Sequence, residues 1–154
     1  MPPLKRILLA EDNEKDIELT LAALEEYHLA SEVVVVRDGA EALDYLHQRG
    51  QYANRGHGLP VVVLLDLKMP KVDGLEVLRL MRADADLKRL PVVMLTSSRE
   101  EHDLVKSYQL GVNAYVIKPA DSQQFVDSVR RLGFFWAIIN EPPPDTLGKG
   151  DLPD

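Results

Sequence analysis

The sequence predicts an α/β domain, a three-layer sandwich wound on both faces of a parallel sheet. Three observations carry this. Short apolar runs rich in Val, Leu and Ile recur five times, and a stretch with helical spacing follows each. The fullest run, Val61 to Leu65 with Leu67 just beyond, has no polar alternation, which suits a strand buried on both faces. Most runs also stop abruptly on a polar or charged residue, at the edge where open α/β sheets hold their ligands.

In chain order, Arg6 to Ala10 is the first strand and ends at Glu11-Asp12. Asn13 is a good helix N-cap, Asp16 follows in the first turn, and Ile17, Leu21 and Leu24 mark one helical face to about Tyr27. Val33 to Val36 is the second strand, turned by Asp38-Gly39. Ala42, Leu43, Tyr45 and Leu46 form the second helix. Arg49 to Gly58 carries three glycines and no apolar pattern, and reads as a loop. The third strand ends at Asp66, expected at the mouth of a loop and facing solvent. Pro70 and Asp73-Gly74 turn the chain into a helix marked by Leu75, Leu78 and Met81. Pro91 to Leu95 is the fourth strand, ending at Thr96. Leu104, Val105 and Tyr108 mark the fourth helix, closed by Gly111. Ala114 to Ile117 is the fifth strand, ending at Lys118-Pro119. Asp121 caps a last helix carrying Phe125, Val126, Val129, Leu132 and Trp136. Residues 1–140 therefore read as one domain, and 141–154 as a Pro/Gly-rich, flexible tail with no means of burying itself.

Composition narrows the function. At 154 residues the chain can bury roughly two-thirds of its unfolded surface as one domain. It has no cysteine, which suits the cytoplasm. The apolar run after Met1 is too short to act as a secretion signal or to cross a membrane. The net charge is −7 and no basic cluster reaches five residues, which argues against nucleic acid. His28, His47, His57 and His102 are scattered and never pair at metal-ligand spacing.

The polar strand ends form a set: Glu11-Asp12, Asp66, Thr96 and Lys118. In a parallel sheet these ends share one edge. Taken alone, Asp12 and Thr96 read as helix caps, and Lys118-Pro119 as an exposed turn. Together, three carboxylates in one pocket stay ionised only with a cation among them, and oxygen donors without His or Cys call for Mg²⁺. A lysine opposite would hold an incoming anion and a hydroxyl would bond it. This suits phosphoryl transfer, with Asp66 as the nucleophile.

Leu8-Leu-Ala-Glu-Asp-Asn13, Leu64-Leu-Asp-Leu-Lys-Met-Pro70, Asp73-Gly74, Met94-Leu-Thr-Ser97 and Tyr115-Val-Ile-Lys-Pro119 together resemble the response-regulator receiver domains of two-component signalling, over roughly residues 5 to 139. The resemblance implies a flavodoxin-like fold of five helices around a five-stranded sheet in the order 2-1-3-4-5. It implies that Asp66 accepts a phosphoryl group from a histidine kinase. Asp12, Asp66 and the backbone carbonyl of Lys68 would ligate Mg²⁺, with Glu11 acting through a metal-bound water. Glutamate at position 11, where many members carry aspartate, has a longer arm that would shift that water. Lys118 would bind the phosphoryl oxygen, Thr96 would swing towards it, and Tyr115 would turn inward behind it. Thr96 and Tyr115 are thus the implied switch. The long loop from Gln48 to Leu59 and the Trp-containing helix end look most like the small receivers that pair with phytochrome-type histidine kinases.

Only about fifteen residues follow the last helix, so the output is expected to be a surface rather than a second domain. The helix end Leu132 to Ile139 is apolar nearly all round. Phe134, Phe135, Trp136 and Ile138, with the fourth helix and fifth strand, are expected to make a homodimer. Local packing beneath Pro142 to Pro144 is the simpler alternative.

Three rivals fit less well. A haloacid-dehalogenase-type phosphatase needs a second aspartate two residues after the nucleophile, where this chain has Lys68. A flavodoxin-like electron carrier needs a Ser/Thr/Gly-rich phosphate loop, and Glu11-Asp12 would repel the cofactor phosphate. A pseudo-receiver that binds partners without phosphorylation would normally have lost Asp66 or Lys118. The protein is expected to turn over no separate metabolite.

Overall fold

The structure is a computed structural model, and it describes residues 6–25, 32–56, 58–96, 109–112 and 114–117, with positions 123, 127, 128 and 131. Five parallel strands form one sheet: β1 (Ile7–Ala10), β2 (Val33–Val36), β3 (Val62–Asp66), β4 (Val92–Thr96) and β5 (Ala114–Ile117). Their order is β2-β1-β3-β4-β5. Three described helices alternate with them: α1 (Glu14–Glu25), α2 (Gly39–His47) and α3 (Gly74–Ala83). The helices expected after Ser98 and after Asp121 fall largely outside the described residues.

Side chains leave successive strand positions on opposite faces, so the sheet builds two cores. Leu8, Val63, Leu65, Val92 and Met94 pack with Leu43, Leu46, Leu78 and Met81 of α2 and α3. Ile7, Leu9, Val62, Leu64, Val93 and Leu95 pack with Ile17 and Leu24 of α1. β1, β3 and β4 carry no polar face because neither face meets water.

Register brings the polar stops level. Ala10 pairs with Leu65, so the residues after β1 stand beside Asp66. Asp66 pairs with Leu95, one residue before Thr96, and Thr96 pairs with Ile117.

In the segment from Arg49 to Gly58, predicted as a plain loop, residues 49–56 are folded onto α2. A 3₁₀ turn spans Gly50–Tyr52. Glu41 is its anchor. Its Oε1 accepts the backbone N–H of Arg37 at 2.9 Å. Its Oε2 accepts the Tyr52 hydroxyl at 2.6 Å and Gln51 Nε2 at 3.2 Å. Burial, and next the bond to Glu41, push the Tyr52 phenol well above its ordinary pKa. The Arg55 guanidinium lies 4.2 Å from the Tyr45 ring centre, and its Nε donates to the Tyr45 carbonyl at 2.8 Å. Polar and aromatic contacts replace the apolar periodicity that sequence reading looks for.

Arg82, in the last turn of α3, ties three segments together. Nε and Nη2 donate to the carbonyls of Leu110 and Gly111 at 2.8 and 2.9 Å. Nη1 donates to those of Lys88 and Leu90 at 3.0 and 2.9 Å. Replacing it by Gln removes the charge and most of this fork. We expect Arg82→Gln to lower stability by roughly 2–4 kcal/mol in urea denaturation while leaving the site intact.

Candidate functional site at the carboxyl edge of the sheet

The β1–α1 turn supplies two carboxylates. Glu11 continues the β1 ladder, donating its N–H to the Val36 carbonyl at 2.9 Å. Its side chain is 0% exposed, and Oε2 accepts the Asn13 N–H at 3.2 Å. Asn13 caps α1 as predicted, accepting the Asp16 N–H at 3.0 Å. Asp12 is thereby left out of capping and lies exposed at the turn.

The third carboxylate, Asp66, closes β3. The sequence places it facing solvent, but it is only 6% exposed. The start of α3 packs directly on its backbone. A Cβ on Gly74 would stand 2.0 Å from the Asp66 carbonyl oxygen and 2.9 Å from Leu67 Cα. Only glycine lets the helix come this close. Its N–H donates to the Leu67 carbonyl at 2.9 Å, and Asp73 caps the helix through the Glu76 N–H at 2.9 Å.

Between Asp66 and α3 the chain makes a tight γ-turn. The Val72 N–H donates to the Pro70 carbonyl at 2.8 Å around Lys71, whose φ is +68°. That geometry is strained for a residue with a side chain. Lys71 Nζ lies 3.6 Å from Asp38, the N-cap of α2. A Cβ on Gly39 would meet the Val72 carbonyl oxygen at 1.8 Å, so α2 and this loop interlock as well.

Carboxylate oxygens of Glu11, Asp12 and Asp66 all lie within 4.8 Å of one another. They open on a cleft of about 430 Å³, which Lys68 and Thr96 also line. Thr96 is 1% exposed. Glu14 and Asp16 line it too; the sequence places Asp16 in the first helical turn and singles out no role for Glu14. Tyr115 is half-buried and packs against the α2/α3 core. Lys118 lies outside the described residues, as do Phe134, Phe135, Trp136 and Ile138. The donor set fits a hard divalent cation: three close oxygen donors, two of them buried, with no nitrogen or sulfur ligand in the group.

A parallel sheet in the order 2-1-3-4-5 that gathers three carboxylates at its carboxyl edge defines a class, the receivers of phosphorelay signalling. A family model, the response regulator receiver domain, matches residues 7–130. The chain belongs to that family.

It is 40% identical over 134 residues to the response regulator Rcp1 of Synechocystis sp., covering 87% of this chain and 90% of that protein. The Mn²⁺-bound form of Rcp1 superposes with a TM-score of 0.79 at 40% identity, over 86% of this chain and 94% of that one. The phosphorylated cyanobacterial phytochrome response regulator RcpA gives a TM-score of 0.81 at 46% identity, covering 88% and 95%. The bacteriophytochrome response regulator AtBRR is 62% identical, with a TM-score of 0.73, over 91% of this chain and 100% of that one.

A methyl group at position 74 must displace backbone, because the atoms it meets belong to the main chain of Asp66 and Leu67. Gly74→Ala is expected to lower the rate of phosphate incorporation from a small donor by about tenfold or more, because displacements on the ångström scale cost heavily at a reacting centre. Labelling kinetics beside a thermal melt separate this from unfolding.

Proposed function

We propose that the protein is a phosphorylation-controlled response regulator in which Asp66 takes a phosphoryl group from the phosphohistidine of a phytochrome-type histidine kinase. The observation that carries this reading is the carboxylate cluster of Glu11, Asp12 and Asp66 at the sheet edge. The relatives that are phytochrome response regulators support the choice of kinase.

In the reaction an Asp66 oxygen attacks phosphorus in line, a new O–P bond forms and the P–N bond of the phosphohistidine breaks. Its electron pair stays on the departing imidazole. Asp12, Asp66 and the Lys68 carbonyl would ligate Mg²⁺, with Glu11 acting through water. When bound, the cation neutralises charge on the phosphoryl oxygens. Lys118 holds one of those oxygens, and the Thr96 hydroxyl turns to bond it. Tyr115 follows inward, since the space behind Thr96 opens. This is a two-state element biased by one local charge. The site promotes only its own phosphorylation and dephosphorylation, so the protein signals and turns over no separate metabolite.

The domain is residues 1–140, with 141–154 as a tail, and the cysteine-free sequence suits the cytoplasm. The output is a homodimer surface formed by the fourth helix, β5 and the last helix. The apolar run Phe134, Phe135, Trp136 and Ile138 supports it.

Two outcomes test the reading. Asp66→Asn keeps the fold but takes up no phosphate. It also loses any change in mass that beryllofluoride with Mg²⁺ produces in light scattering of the wild type. Labelling at another residue would refute the assignment of Asp66, and a monomer before and after beryllofluoride would remove the dimer. Asp12→Asn weakens Mg²⁺ binding by about tenfold or more in a fluorescence titration; unchanged affinity would move the metal elsewhere.

A further inference from the structure

Arg37, the residue after β2, is held at two points. Its backbone N–H donates to Glu41 Oε1 at 2.9 Å, and its Nη1 donates to Glu14 Oε1 at 2.6 Å. Glu14 is the first residue of α1 and lines the acidic cleft. Both side chains remain half exposed, Arg37 at 53% and Glu14 at 62%. A solvated pair of this kind adds little to stability, so the fold does not demand an arginine here.

The cleft works against its own reaction. A phosphoryl donor is an anion, yet five carboxylates line the cleft, and Lys68 is the only ammonium among its described lining residues. A bound divalent cation offsets two of those charges. Arg37 adds a guanidinium bonded to one of the lining residues, Glu14, on the α1 side. Its planar fork matches two phosphoryl oxygens, and the bond to Glu14 keeps it next to the cleft's lining without burying it.

We propose that Arg37 is the entry residue for the phosphoryl donor: its guanidinium leaves Glu14, takes two oxygens of the incoming phosphoryl group and steers it towards Asp66. This rests on the reading of Asp66 as acceptor. Glu14 then acts as a competing partner that holds Arg37 ready between encounters.

The test uses acetyl phosphate as donor with Mg²⁺ and measures the second-order rate of phosphorylation of the full chain. Arg37→Gln should lower that rate by about tenfold, and Arg37→Lys should restore part of it. The deficit should shrink as salt is raised, because the attraction acts across solvent. Melting temperature and Mg²⁺ affinity should not move. Glu14→Gln should raise the rate, and most of that gain should vanish when Arg37 is already Gln. A wild-type rate in Arg37→Gln would overturn the inference. So would a slowing shared by Glu14→Gln, or a Glu14→Gln gain that is the same with and without Arg37. If the wild type takes no phosphate at all, the acceptor reading falls and takes this inference with it.

Discussion

Three carboxylates within 4.8 Å of one another, two of them buried, repel one another, and the rest of the molecule is arranged to hold the buried pair where they are. Left to itself, a chain would relieve that repulsion by turning one carboxylate to water or by taking up protons. Here the surrounding structure holds the two buried ones, Glu11 and Asp66, in place. Glu11 is pinned through the Val36 carbonyl and the Asn13 N–H. Asp66 sits on a strand with neighbours on both sides, under the first turn of α3. The site therefore carries a standing demand for positive charge. Receivers answer it with a divalent cation, and the carboxylates on their own explain why the sheet edge draws one.

Holding such a site takes contacts beyond it. The γ-turn at Lys71 puts a side-chain residue at a positive φ. That turn persists because α2 meets the same loop at Gly39 and because Lys71 pairs with Asp38. Glu41, in the same first turn of α2, then collects Arg37, Gln51 and Tyr52. A chain of short contacts thus runs from Asp66 through the loop and α2 to the 3₁₀ turn. Strain at Lys71 is supported from outside the loop that contains it.

Much of this was legible in the sequence. The unbroken runs at β1, β3 and β4 could only be strands covered on both faces. Their polar stops single out Glu11, Asp12, Asp66 and Thr96. What periodicity could not carry were contacts between backbones and between distant polar groups. The close approach of α3 to the Asp66 backbone depends on a missing Cβ at Gly74, which a hydropathy pattern does not register. The Arg49–Gly58 segment looked structureless because its order comes from one glutamate, two tyrosines and an arginine. Arg37 and Glu14 stand 23 positions apart and share no pattern at all. Sequence reading sees the strands because burial repeats; it misses single contacts because they do not.

Arg82 has a chemical consequence of its own. Its four partners are all carbonyl oxygens. Burial lowers its pKa, but a guanidinium stays charged throughout the range in which proteins fold. Peptide carbonyls do not titrate there either. The junction of α3 with the turn before β5 is therefore made of groups that neither gain nor lose a proton in that range, and acidity gives it nothing to act on.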